Sequence, residues 1–397
     1  MNTKLTPTTE AQIHQIDQTS LLQASSSALM DTAASTTLET ALVYCEGNFG
    51  EMDGKTANGL VRASYRFRIQ GVIDSDKAGL DSGTVLDGKA NGIPIYRDLN
   101  QALREGDTEP THFIFGVAPL DGQFSAKDRY VIFQAMEKGL HIINGLHEFL
   151  TNDESVMRKA LTCGVTVTDI RKPAPSHELS VFTGQIMKMA CPRVAVLGTD
   201  TAIGKRTTAT ILVQALQAMG INAVMIATGQ TGLMQGTPYG VAIDAIPAQF
   251  AAGELEATML KADREQQPDI MIVEGQGALS HPAYSSSSLI IRGCVPDAIV
   301  LQHAPGRPHR GDFPDMPMAD VRSEINLLKA FCGTDVVALT MNPEHLDSEQ
   351  MAQAMQELRS QFGLPVADVV AQGADSIVTQ LLETFPALRQ KRKRLQN

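Results

Sequence analysis

The chain lacks the features that would place it in several large protein classes. Its five cysteines, Cys45, Cys163, Cys191, Cys294 and Cys332, are odd in number and far apart. None belongs to a C-x-x-C pair, which argues against a zinc site or a disulfide framework and fits a reducing cytosol. No apolar run reaches the roughly 18 residues a membrane span needs, and the N-terminus lacks a basic-then-apolar signal pattern. A cytoplasmic location with no membrane partner is therefore expected. Positive charge is in deficit: 33 Lys and Arg stand against 44 Asp and Glu, a net charge of −11. An acidic surface repels phosphate backbones, so general nucleic-acid binding is not expected. The short basic run Lys391 to Arg394 reads as the solvated end of a C-terminal helix. No short-period internal repeat is visible.

What remains is a globular composition, 43% hydrophobic and 19% charged, over 397 residues, enough for two or three domains. Residues 1–38 are rich in Ser, Thr, Gln and Ala and are expected to form a mobile leader. Beyond them strand and helix signals alternate, which predicts an α/β fold of two parallel-sheet units. A Rossmann-like domain is expected over 39–171, with strands at 41–45, 69–73, 93–96, 112–117, 140–144 and 165–169. Helices are expected at 56–64, 99–104, 128–138 and from His147. A linker stiffened by Pro173 and Pro175 follows over 172–190. A P-loop NTPase-like catalytic domain is expected over 191–397, with strands at 193–197, 223–227, 270–273, 298–302, 336–340 and 366–370. A homo-oligomer is expected, since the apolar content permits a subunit interface.

The first unit opens with Gly47-Asn48-Phe49-Gly50 and then Gly54-Lys55-Thr56, and its second strand ends in Asp74. An acid there is where dinucleotide folds hold ribose. Yet the turn is not G-x-G-x-x-G, and three residues rather than four separate Gly50 from Gly54. A dinucleotide site, a local anion site for substrate and a structural turn all remain open. His112, His141 and His147 read as structural.

The second unit carries the stronger signal. The strand at 193–197 runs into Gly198-Thr199-Asp200-Thr201-Ala202-Ile203-Gly204-Lys205, and a helix is predicted from Thr207 to Met219. Strand, glycine turn, Lys and helix form a phosphate cradle: backbone N–H groups and the helix N-terminus face the anion, and the Lys reaches over it. Gly198, Thr199, Thr201, Gly204, Lys205, Arg206 and Thr207 are the candidate coenzyme-binding residues. The longer spacing between the glycines resembles the dethiobiotin synthetase branch of P-loop proteins, as does Glu274-Gly275-Gln276-Gly277 after the strand at 270–273. ATP-using members place Thr directly after the Lys to hold Mg²⁺. Here Arg206 stands there. A guanidinium cannot ligate a cation but can neutralise phosphate, so a phosphorylated ligand bound without metal is expected. The pyrophosphate or ribose phosphate of coenzyme A would suit. The alternative is that Arg206 faces solvent and Thr207 or another residue recovers the metal.

Other strand ends gather further candidates. Arg307 and Arg310, in the proline-rich segment after His303, could grip a substrate carboxylate. Glu274, Gln276 and His281 form a second group. Gln230 lies in the glycine-rich loop 228–232, and Asp244 could hold an amine or orient a cation.

Four motifs are similar to one bacterial two-domain family long catalogued as of unknown function: residues 198–208, 227–232, 274–283 and 303–307. Gly54-Lys55-Thr56-Ala57, 116–119, 145–147 and 169–173 extend the likeness from about residue 40 to about 385. The family is that of the DgcN-type D-glutamate N-acetyltransferases, which work beside a dehydrogenase acting on N-acetyl-D-glutamate. The resemblance implies acetyl transfer from acetyl-CoA to an acidic D-amino acid, and Arg206 beside Lys205 leads to the expectation of no metal. The cradle would then anchor the coenzyme, and Glu274, with Asp200 and His303 behind it, would take the proton from the ammonium. The rival readings are an ATP-dependent kinase or ligase of the dethiobiotin synthetase type, an NAD-linked oxidoreductase and a non-catalytic nucleotide sensor.

Overall fold

The computed structural model describes residues 38–389. The expected leader up to Thr37 and the basic run Lys391 to Arg394 lie outside the described residues. Two six-stranded parallel sheets form the frame. The first contains β1 (Glu39–Tyr44), β2 (Phe67–Ile73), β3 (Ile95–Tyr96), β4 (His112–Phe115), β5 (His141–Asn144) and β6 (Val167–Asp169), in the order β3-β2-β1-β4-β5-β6. Its helices are α1 (Lys55–Arg62), α2 (Ser82–Asp87), α3 (Leu99–Glu105), α4 (Ala126–Glu137) and α5 (Glu154–Cys163). The second sheet contains β7 (Arg193–Gly198), β8 (Ala223–Ile226), β9 (Ile270–Glu274) and β10 (Ala298–His303). A two-stranded ribbon, β11 (His309–Arg310) and β12 (Phe313–Pro317), interrupts before β13 (Val336–Met341) and β14 (Val366–Ala367) complete it. The sheet order is β14-β13-β10-β7-β9-β8. The helices are α6 (Lys205–Ala218), α7 (Gln230–Met234), α8 (Ala248–Gln266), α9 (Ser286–Cys294), α10 (Val321–Cys332), α11 (Ser348–Phe362), α12 (Val369–Gln372) and α13 (Asp375–Thr384).

Each sheet is apolar on both faces, as helices on both sides require. Along β7, Val194 and Val196 join one core layer with Ala209, Leu212 and Leu216 of α6, whereas Ala195 and Leu197 join the other with Leu255 and Met259 of α8. Likewise Leu42 and Tyr44 face one layer of the first sheet, and Ala41 and Val43 the other. This period of two fixes the register of each buried strand.

Three local expectations change. His147 does not start a helix: α5 begins at Glu154, where Asp153 accepts from the N–H groups of Ser155 and Val156, a cap worth about 1 kcal/mol. The last strand ends at Ala367 because Asp368 caps α12 in the same way. The glycine-rich stretch 228–232 is partly helical, since α7 starts at Gln230.

The two halves meet through α1 and α7. Gln235 donates through Nε2 to the carbonyls of Gly59 and Ala63, both at 2.6 Å, and its carbonyl accepts from Tyr65 N at 2.7 Å. A Cβ on Gly59 would come within 2.6 Å of Thr231 Cγ2, so only glycine allows this approach. Met234 of α7 is buried in the core of the first half. Arg171 crosses from the end of β6 to Asp244 and also contacts His147 Nε2 at 2.7 Å and the Gly145 carbonyl at 2.6 Å.

Candidate active site

The site forms at the carboxyl ends of β7, β9 and β10, in the crevice where an open sheet binds ligands. The turn after β7 needs left-handed backbone at Ala202 (φ 49°) and Gly204 (φ 97°). Gly204 precedes α6 and offers no side-chain cap. The first-turn N–H groups of α6 therefore have neither intrahelical acceptors nor a cap, which leaves them for an anion. Gly198 keeps the turn open for the lysine: a Cβ there would lie 2.9 Å from Lys205 Cδ. Lys205 is 5% exposed and donates to the Asp200 carbonyl at 2.5 Å. Burial lowers its pKa to about 8, against the pull of Asp200; Arg307 adds to the lowering.

Arg206 does not face solvent. Its Nε lies 3.6 Å from Glu274 Oε1, is buried, and has no hydrogen-bond partner. Glu274 ends β9 and is 5% exposed; its Oε2 accepts from Thr228 N at 3.0 Å. Burial raises the Glu274 pKa, opposed by Arg206, and burial lowers that of Arg206, opposed by Glu274. The pair is thus close, and desolvation outweighs the mutual attraction on both sides. Thr207 is half-buried, while Thr208 turns inward and donates to Gln302 Oε1 at 2.6 Å.

Asp200 is fully buried. Its Oδ2 accepts from Arg307 Nη1 and from Gly311 N, both at 2.9 Å. Its Oδ1 lies 3.8 Å from His281 Nε2 and 3.7 Å from Arg310 Nη1, and all three of these atoms lack hydrogen-bond partners. Arg307 is engaged by the protein: Nη1 also donates to the Thr201 carbonyl at 2.9 Å, and Nη2 to Glu344 at 2.5 Å. The expected carboxylate grip by Arg307 therefore does not fit, because its donors hold the cradle loop to its neighbours. Arg310 contacts Ser280 through Nη2, and its Nε is unpartnered. His281 stacks on Tyr284 with ring centroids 4.5 Å apart. Burial lowers the His281 pKa, and Arg310 adds to this.

His303 Nδ1 lies 2.9 Å from Thr199 Oγ1, and burial lowers its pKa to about 4. Such an imidazole is neutral at pH 7 and is a weak base. Gln276 Nε2 donates to the Thr228 carbonyl at 2.5 Å, which closes the loop above Glu274. Gln230 Nε2 reaches Thr56 Oγ1 at 3.3 Å, across the junction of the two halves. Asp244 also belongs to that junction, through Arg171 and with His147 Nε2 3.8 Å away. Both were expected near substrate; the structure places them at the junction of the two halves. His147, read as structural, sits beside them.

Sequence reasoning passed over Asp312 and Tyr284 as site residues. Asp312 Oδ2 accepts from Thr201 Oγ1 and from the Tyr284 hydroxyl, each at 2.9 Å. The only signal for Asp312 was its place at the end of the cationic segment 302–312. In the first half, Asp74 accepts from the N–H groups of Gly47, Phe49 and Asp76. That buried carboxylate is engaged by its own turn, so it is not available to a ribose.

The comparisons agree with this architecture. Residues 75–173 match the Rossmann-like N-terminal domain of the DUF1611 family, and residues 180–378 match its P-loop domain, both described as of unknown function. Two curated relatives are named D-glutamate N-acetyltransferase. One, from a Pseudoalteromonas species, is 33% identical over 73% of this chain and 88% of its own length. The other, from Tritonibacter scottomollicae, is 32% identical over 68% of this chain and 80% of its own. The crystal structure of a DUF1611 family protein from Anabaena variabilis superposes with a TM-score of 0.79 at 30% identity, covering 87% of this chain and 99% of that one. A Rossmann-like sheet followed by a P-loop sheet, matched over this extent, means that the chain belongs to the DUF1611 family.

Proposed function

We propose that the protein is an N-acetyltransferase that moves an acetyl group from acetyl-CoA to the amine of an acidic D-amino acid, D-glutamate first among them. One observation carries the reading: Arg206 stands beside the raised-pKa carboxylate Glu274 at the mouth of an uncapped, lysine-bearing cradle. The names of the two curated relatives supply the reaction class. In ATP-using P-loop proteins the residue after the lysine holds a metal ion; a guanidinium there provides positive charge without one.

The residues fit an anionic coenzyme. Lys205 and the first-turn N–H groups of α6 bind phosphate oxygens, and Arg206 adds a second cation near Glu274. Bound acetyl-CoA supplies an activated thioester acyl group. Glu274 serves as the base that takes a proton from the substrate ammonium, since a carboxylate raised above its ordinary range holds a proton better. His303, at about 4, is a poorer choice against an alkylammonium near 10. Asp200 acts as a scaffold, with its carboxylate fixing Arg307 and the 311 backbone. Arg310, which keeps unpartnered donors, is the cation of this half that a substrate carboxylate can use.

The test is a thiol-release assay with acetyl-CoA against D- and L-amino acids, with and without Mg²⁺. Release with D-glutamate, unchanged by Mg²⁺ or chelator, is expected. No release with any amine, together with Mg²⁺-dependent ATP consumption, would replace this reading with the kinase or ligase alternative.

A further inference from the structure

Lys55 comes from the first half of the chain yet stands at the site of the second. It begins α1, between two contacts that cross the junction. On one side Thr56 Oγ1 lies 3.3 Å from both Thr231 Oγ1 and Gln230 Nε2. On the other, Met52 closes on Gly311, where an added Cβ would lie 3.1 Å from Met52 Cε. Gly311 itself donates to Asp200, and the adjacent Asp312 accepts from Thr201 of the cradle. The turn carrying Lys55 is thereby fixed against the cradle loop.

The charges around it are mixed. Lys55 feels Asp312, Asp53 and Asp244 as attractive and Arg171 as repulsive, and it lies within Coulomb reach of Lys205. Its side chain is open to solvent, although the surrounding protein is dense enough for desolvation to dominate in lowering its pKa. That combination describes a side chain lining a cleft. Three neighbouring cations have partners: Arg171 holds Asp244, Arg307 holds Asp200 and Glu344, and Lys205 holds a carbonyl. Among the described residues of this cleft, Lys55 is the ammonium with no hydrogen bond or ion pair. A polyphosphate would meet repulsion from Asp53, Asp312 and Asp244, whereas a zwitterion with separate carboxylate and ammonium groups matches a mixed lining.

We propose that Lys55 receives the side-chain carboxylate of the acidic amino-acid substrate, so that the substrate pocket is shared between the two halves and the Gly-Lys-Thr turn of the first half sets selectivity for a dicarboxylate. This rests on the acetyltransferase reading above. Arg310, which keeps unpartnered donors in the second half, is left for the other carboxylate of the substrate.

The experiment compares wild type, Lys55→Met and Lys55→Arg on D-glutamate and D-glutamine, with KM measured for each amino acid and for acetyl-CoA. Lys55→Met should raise KM for D-glutamate about 10- to 100-fold, as expected for a lost charge-assisted contact. D-glutamine and acetyl-CoA should stay within about twofold, and Lys55→Arg should restore part of the loss. Unchanged discrimination between the two amino acids, equal losses on both, or a rise confined to acetyl-CoA would each overturn the assignment. If wild type acetylates no amine, the functional reading fails. Calorimetric binding of D-glutamate then decides the Lys55 assignment separately: binding that is lost in Lys55→Met supports it, whereas unchanged or absent binding in both proteins refutes it.

Discussion

Each half opens with a buried strand, a glycine turn ending in Lys and a helix, but the strand beside that turn differs. In the first sheet β2 follows β1 in the chain and also lies next to it. The acid at its end, Asp74, is drawn into the turn and accepts two of its N–H groups, from Gly47 and Phe49, while also capping its own next turn through Asp76 N. In the second sheet β8 goes to the edge and β9 lies against β7. The acid brought beside the cradle is then Glu274, which faces Arg206 and accepts from Thr228 N rather than from the cradle turn. One exchange of strand order separates a turn held shut by its neighbour's carboxylate from one left open for an anion with a carboxylate standing by.

The sharpest way to break this contrast is at the two acids. Glu274→Gln should lower kcat by roughly 10²–10⁴, the usual range for losing a general base. It should also abolish the acid limb of the pH–rate profile, a limb that the raised pKa of Glu274 places above the ordinary carboxylate range. A profile that keeps this limb in the variant would move the base elsewhere.

Next in size is the lysine. Lys205→Ala should raise KM for acetyl-CoA about 10- to 100-fold, with little change for the amino acid, because it removes a charge-assisted contact. The same lysine predicts a pH effect. Its pKa is held near 8, and the anion prefers the ammonium, so coenzyme affinity should weaken as pH rises past about 8, by up to tenfold per pH unit. Lys205→Arg should flatten that slope. A coenzyme KM flat from pH 7 to 9.5 in wild type would contradict the assignment.

The smallest effect lies in the first half. Asp74→Asn should cost about 1–3 kcal/mol of stability, because buried N–H groups lose a charged acceptor, while KM for acetyl-CoA stays unchanged. Thermal unfolding alongside steady-state kinetics would check both. A large change in coenzyme KM would mean that the first turn is itself a nucleotide site.

Most of the frame was legible because buried parallel strands read as apolar runs bounded by glycine and polar residues, as at Val194 to Leu197. The cradle was legible for the same local reason: strand, glycines, Lys205 and helix are contiguous. Strand order was not, since no local residue states that β9 rather than β8 lies beside β7. The partners of Arg307, Gln230 and Asp244 were also hidden. Their residue types suited a substrate, but Arg307 meets Asp200 and Glu344 through a fold contact, and Gln230 and Asp244 meet the other half of the chain. The long helix α8 carries no chemical motif and drew no notice, although Leu255 and Met259 fill the core behind β7. Lys55 could be singled out by type but not placed, because its position depends on how α1 packs on α7.

In this cradle a guanidinium stands where ATP-using P-loop proteins place the residue that holds a metal ion. Calorimetric titration of coenzyme A and of ATP with Mg²⁺ into wild type and Arg206→Thr tests this most directly. Wild type should bind coenzyme A equally with and without chelator and bind Mg²⁺-ATP no better than ATP alone, and Arg206→Thr should lose coenzyme affinity. Tight Mg²⁺-dependent ATP binding by wild type, with no detectable coenzyme A binding, would contradict it.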